Sequence, residues 1–174
     1  MLILGKAAPE FTNMETYENG AFGTLSSSDL KGTWTVLFFY PRDFTFVCPT
    51  ELRGFARHME DFKALNCGIV AASTDSHHSH KAWFGRDLKE VTYPILADVT
   101  HAVSRSFNVL NEETGAAERG LFILDEENVV RYVVLSSDSV GRSVKETLRV
   151  LKALQSGELC PIEWEEGDET LGKA

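Results

Sequence analysis

The chain has 174 residues, 43% hydrophobic and 10% aromatic, enough to build one domain with a sizeable core. Seventeen Lys plus Arg against 26 Asp plus Glu give a net charge of -9, which disfavours nucleic acid and anionic membrane surfaces as partners. The apolar run opening "MLILGKAAPEF" is too short for a signal-peptide core, and no stretch of about 18 apolar residues occurs, so a cytoplasmic protein is expected.

In chain order, "YENGAFGTL" places Asn19-Gly20 between alternating residues and predicts an N-terminal hairpin. "TWTVLFFY", Thr33 to Tyr40, is dense in β-branched and aromatic residues without alternation, as in a central strand buried on both faces. Leu52, Phe55, Ala56, Met59 and Phe62 form an apolar stripe, predicting a helix from Pro49 to Leu65 with proline in its first turn. "GIVAAST", Gly68 to Thr74, reads as a second buried strand, and Asp75-Ser76 caps a helix starting near His77. "YPIL" is a short strand and "HAVSRSF" a short helix, while "GLFILDEENVVRYVVL" reads as two strands joined by a turn at Asp125 to Asn128. Val144, Leu148, Leu151 and Leu154 mark a last helix that Gly157 ends, and the acidic "ELCPIEWEEGDETLGKA" follows without periodicity. This order is an α/β, thioredoxin-like arrangement: an N-terminal hairpin, then a central mixed sheet flanked by helices. The expected organisation is a domain over 1–156 and a C-terminal tail over 157–174.

The three cysteines, Cys48, Cys67 and Cys160, show neither C-x-x-C spacing nor zinc-ligand pairs. In a reducing compartment that favours catalytic or buried thiols over structural disulfides. A helix starting at Pro49 puts Cys48 at its cap, where free backbone N–H groups and the positive end of the macrodipole favour a thiolate, the nucleophilic form of sulfur. Thr45 could bring its hydroxyl beside that sulfur. Pro41 could shield it and leave neighbouring N–H groups free for a substrate. The strand opening "ERGLFIL" should lie near the helix cap, so Arg119 is the candidate fixed cation. The alternative for Cys48 is a buried small apolar side chain, the commonest fate of a free cysteine. Cys67 lacks a nearby cation in sequence and reads as structural.

"FYPRDFTFVCPTEL" resembles the active-site loop of the typical 2-Cys peroxiredoxins, the alkyl hydroperoxide reductase type. The family's spacing of Pro, Thr and Cys falls on Pro41, Thr45 and Cys48, with Glu51 following. "ERGLFILD" is similar to the segment supplying the active-site arginine, and "GELCPIEWEEGDETL" to the resolving-cysteine tail. The resemblance implies a peroxiredoxin variant of the thioredoxin-like fold and an antioxidant peroxidase without metal or cofactor. Cys48 would attack a peroxide O–O bond and become a sulfenic acid. Thr45 would hydrogen-bond the peroxide, Arg119 would stabilise developing charge, and Pro41 would keep water from the sulfenic acid. Cys160 of the other subunit would resolve it as an intersubunit disulfide. A disulfide needs Cα atoms about 4.4–6.8 Å apart, and a cysteine in a first helical turn cannot present its sulfur without local unwinding. The resemblance also implies hydrogen peroxide and organic hydroperoxides as substrates, and thioredoxin or a flavin-dependent disulfide reductase as electron donor. It implies a homodimer paired through "VVRYVVL", closing into a ring, commonly a decamer.

The chain departs from the peroxide-sensitive eukaryotic members. "WFGRDLKEVTY" has no Gly-Gly-Leu-Gly insertion, and the sequence ends at Ala174 without the Tyr-Phe helix of those members. Resistance to overoxidation is therefore expected. Mass spectrometry of Cys48 during turnover checks it, because sulfinic acid building up at low peroxide excess would contradict the expectation.

"DSHHSHKAWF" offers His77 and His80 on one helical face, read as a solvated helix start rather than a metal site. The acidic tail reads as a solvated terminus in which Trp164 could dock on its own or a neighbouring subunit. Two other functions compete. A dithiol reductase fails because C-x-x-C would need cysteine at Glu51, and a peroxide sensor or holdase would react without turnover.

Overall fold

Asn19 and Gly20, at φ 44° and 90°, turn the chain between β1 (Met14–Glu18) and β2 (Ala21–Leu25), as a two-residue hairpin of right-handed twist requires. β3 (Trp34–Phe39) leads into α1 (Cys48–Arg57) and α2 (Met59–Ala64), and then come β4 (Cys67–Ser73) and α3 (His77–Asp87). β5 (Ile95–Ala97), α4 (Ala102–Ser106), the two-residue pair β6 (Leu110–Asn111) and β7 (Ala116–Ala117), β8 (Arg119–Leu124), β9 (Val130–Ser136) and α5 (Val144–Ser156) complete the chain. The computed structural model describes residues 4–173, so the apolar run beginning Met1-Leu2-Ile3 opens outside the described residues.

Seven strands form one mixed sheet in the order β2-β1-β5-β4-β3-β8-β9. β3 pairs parallel with β4 and β4 parallel with β5, while β8 and β9 add antiparallel strands on the other side of β3. Every residue of β3 after Trp34 is buried because the sheet is covered on both faces. Phe38 stacks on Phe55 of α1 with centroids 4.5 Å apart, and on the opposite face Phe39 meets Phe107 and Phe122 at 5.4 and 5.9 Å. A central β3 therefore ends at the site with little freedom to move.

The expected helix over Pro49 to Leu65 is two helices. His58, at φ -107° and ψ 14°, separates α1 from α2. Leu52, Phe55 and Phe62 remain buried on either side of the break. Periodicity reports which face is buried, and two short helices can share a face, so the stripe does not reveal the break. The β6–β7 pair is also absent from the sequence reading. Two-residue strands carry no usable alternation.

The chain divides into two compact units, one reaching Arg142 and one beginning at Ser143. In the second, the Ser143 hydroxyl caps α5 by accepting from the Glu146 N–H, and Gly157 ends it at φ 67°. The tail folds onto α5 of the same unit. Arg149 Nη1 donates to the Trp164 carbonyl at 2.9 Å, Lys152 pairs with Glu166 at 2.6 Å, and Trp164 is buried. No helix among the described residues is long and apolar enough to cross a membrane.

Candidate active site

β3 ends at Phe39, and the loop from Tyr40 to Val47 returns the chain to α1. Its backbone is held from beneath. The Tyr40 hydroxyl donates to Asp43 Oδ1 at 2.8 Å, Ser79 Oγ donates to Asp43 Oδ2 at 2.7 Å, and the Asp43 N–H donates to Asp75 at 2.7 Å. His80 Nδ1 lies 2.9 Å from Asp43 Oδ2, and its Nε2 lies 3.3 Å from the Leu96 carbonyl. His80 is fully buried, which corrects the reading of that helix start as solvated. Its partner Asp43 comes from a distant loop, so sequence spacing could not pair them. Burial and the Asp43 carboxylate together push the Tyr40 phenol well above its usual range, so it remains a donor.

Cys48 is the first residue of α1, with Val47 as cap residue and Pro49 behind it, one position earlier than a proline-led start implies. Its side chain is only 1% exposed. The thiol therefore sits within the first turn, still at the positive end of the helix. Arg119, the first residue of β8, donates from Nη1 to Cys48 Sγ at 3.4 Å and to Glu51 Oε2 at 2.8 Å. Its Nε donates to the Asp138 carbonyl at 2.7 Å, which fixes the guanidinium plane. The next residue, Gly120, has no room for a side chain, since a Cβ there would meet Val109 Cγ1 at 2.5 Å.

Glu51 and Arg142 belong to the same cluster. The sequence reading left Glu51 without a role and did not single out Arg142. The Arg142 N–H and Nε donate to Glu51 Oε1 at 2.8 and 2.7 Å, and Nη2 donates to Oε2 at 2.8 Å. Burial opposes ionisation of Glu51, but hydrogen bonds and charge from Arg142, joined by Arg119, overcome it and hold the carboxyl below its usual value. The same buried cluster raises Arg119: burial alone would lower it, and Cys48 and Glu51 more than reverse that effect. Two buried guanidinium groups share one buried carboxylate, so one positive charge remains for the sulfur beside them. Asp138 Oδ1, 3.5 Å from Arg119 Nη2, belongs to a largely exposed side chain that water screens.

Pro41, Thr45 and Cys48 line one cavity of about 480 Å³, closed on its other wall by Asn111, Thr114, Ala116 and Ala117. The Thr45 hydroxyl donates to the Arg42 carbonyl at 2.9 Å, which leaves its lone pairs available to a guest. Cys160 lies in the second unit, half-buried, with its Sγ 3.5 Å from Ser156 Oγ. Cys67 starts β4, and burial pushes its thiol up to about 12, in keeping with a packing role. All three cysteines are free thiols.

The AhpC/TSA family profile matches residues 4–133. Peroxiredoxin prdx-2 of Caenorhabditis elegans is 46% identical over 177 residues, covering 97% of this chain and 88% of that protein. Peroxiredoxin-2 of Rattus norvegicus is 44% identical, covering 97% and 89%. Among solved structures, the reduced 2-Cys peroxiredoxin of Plasmodium vivax superposes with a TM-score of 0.92 at 29% identity, over 96% of this chain and 91% of that one. AhpC of Mycobacterium tuberculosis gives 0.86 at 37% identity, over 95% and 99%. The thioredoxin-like expectation holds. A buried thiol at a helix start, facing a fixed guanidinium in a small cavity, is what a peroxide-reducing thiol requires, and the chain belongs to the AhpC/TSA family as a peroxiredoxin, a thiol-dependent peroxidase.

Proposed function

We propose that the chain reduces hydrogen peroxide and organic hydroperoxides through Cys48, with Cys160 as the resolving thiol. The observation that carries this reading is the 3.4 Å donation from Arg119 to Cys48 Sγ beside a cavity bearing Pro41 and Thr45. The Cys48 thiolate attacks the terminal peroxide oxygen. An S–O bond forms as the O–O bond breaks, and the departing oxygen takes a proton and leaves as water or alcohol. Arg119 neutralises the charge that moves from sulfur to the leaving oxygen, and Thr45 orients the peroxide. Pro41 limits access of water to the sulfenic acid.

The Cys160 thiolate then attacks the sulfenic sulfur, expelling hydroxide, which is protonated to water, and leaving a disulfide. Cys48 is buried at its helix start, so α1 must unwind locally first. The tail over 157–174 carries Cys160 to the Cys48 of a second subunit, and a thioredoxin or flavin-dependent disulfide reductase restores both thiols. β9 is the last strand of the sheet; Gly5 and Lys6 bond its first residue, Val130, no named strand among the described residues pairs beyond it, and Leu135 is exposed, so it is the natural surface for subunit pairing and, through repeated dimers, a ring such as a decamer. Three free thiols suit a reducing compartment such as the cytoplasm.

Peroxide consumption under excess dithiothreitol, in wild type, Cys48→Ser and Cys160→Ser, tests the scheme alongside non-reducing gels. Activity should vanish only in Cys48→Ser, and the disulfide-linked dimer should be missing from both variants. Undiminished turnover in Cys48→Ser would remove Cys48 from the mechanism.

A further inference from the structure

Arg42 also lines the Cys48 cavity. Its Nη2 donates to the Thr114 carbonyl at 2.7 Å, which tethers the guanidinium across the cavity from one loop to another. No acidic side chain among the described residues pairs with it. The other charged groups on this wall are engaged. Glu118 accepts from Asn111 Nδ2 at 3.0 Å, and Asp138 lies 3.5 Å from Arg119. Arg42 thus contributes a positive charge, oriented by a single backbone acceptor, with donors left over for a guest.

The rest of the wall is suited to hydrocarbon. Phe46, 92% exposed, and Val47 stand on the Cys48 side, with Ala116 and Ala117 opposite. Hydrogen peroxide occupies a small fraction of about 480 Å³ and would touch none of these groups while reaching the sulfur. A hydroperoxide with a short carbon chain and a terminal carboxylate would use all three features: Cys48 for the O–O bond, the apolar wall for the chain, and Arg42 for the carboxylate.

We propose that Arg42 is a specificity-determining residue that makes this peroxidase favour organic hydroperoxides bearing a carboxylate. The inference rests on the reading of Cys48 as the attacking thiol. The guanidinium acts at the rim of the site, in contact with water, so its contribution is that of a partly screened ion pair. It enters the rate constant through binding rather than through the chemical step.

The test compares kcat/KM for 6-hydroperoxyhexanoate and for its methyl ester, which differ only in the charge at the far end. Wild type should prefer the acid by about threefold to fivefold, and raising the salt from 20 mM to 500 mM should shrink that preference. Arg42→Leu should bring the acid-to-ester ratio to one or below, and Arg42→Lys should restore part of it. The ratio is internal to each protein, so a general loss of activity cancels. An equal ratio in wild type and Arg42→Leu would overturn the proposal. Failure of the Cys48 reading has a different signature, because Cys48→Ser would then reduce both compounds as fast as wild type.

Discussion

Arg119→Met should lower the second-order rate constant for hydrogen peroxide by about 10²- to 10³-fold, the cost of removing one preorganised donor aimed at developing charge. Methionine preserves much of the length and apolar stem of arginine but carries no donor. The lost contacts are the 3.4 Å donation to Cys48 Sγ, the 2.8 Å donation to Glu51 and the 2.7 Å donation to the Asp138 carbonyl. Lysine should recover only a small part, because a point charge cannot hold Cys48, Glu51 and the Asp138 carbonyl together as a planar fork does. Stopped-flow peroxide reduction checks both variants, and an Arg119→Met enzyme within threefold of wild type would show that the helix start alone activates the sulfur.

Glu51→Gln has the other large expected effect, on stability. The substitution keeps the volume but removes the charge between Arg119 and Arg142, leaving two buried guanidinium groups without their shared carboxylate. Breaking a buried pair in this way costs about 3–5 kcal/mol. A clear fall in the urea midpoint at fixed protein concentration is therefore expected, together with reduced peroxidase activity as Arg119 loses its anchor. The pH dependence follows in sign. The folded-state pKa of Glu51 lies below its unfolded value, so its contribution is fully present above the ordinary carboxylate range, about pH 4.3, and is lost as pH falls through the depressed value. Below the depressed folded-state value wild type and Glu51→Gln should converge in stability. A gap that stays constant down to acid pH would place the effect in packing rather than charge.

The site was legible in the sequence only in part, and the boundary has a physical basis. Thr45 and Cys48 are three positions apart where the loop meets α1, and a proline-led helix start is a local signal, so the thiol's place at the start of α1 could be read from neighbouring residues. Arg119 was reachable because the strand order implies which strand end faces the helix start. Arg142 was not, since an arginine in "VGRS" has the local signature of a solvated loop. Its burial arises only when the chain returns to Glu51, 91 positions earlier. His80 illustrates the same point. Its helix begins where the capping residues indicated, yet the Asp43 carboxylate beneath the active-site loop turns an apparently solvent-facing histidine into a buried partner.

By itself the sequence determined the hairpin at Asn19-Gly20, the buried character of β3, the start of α3 after Ser76 and the end of α5 at Gly157, because backbone preferences and burial patterns act over a few residues. The tertiary structure alone decided the break at His58, the charge balance of Arg119, Glu51 and Arg142, and the presence of Arg42 on the cavity wall. Each depends on side chains far apart in sequence meeting at low dielectric or across a cavity, and such energies have no counterpart in local pattern.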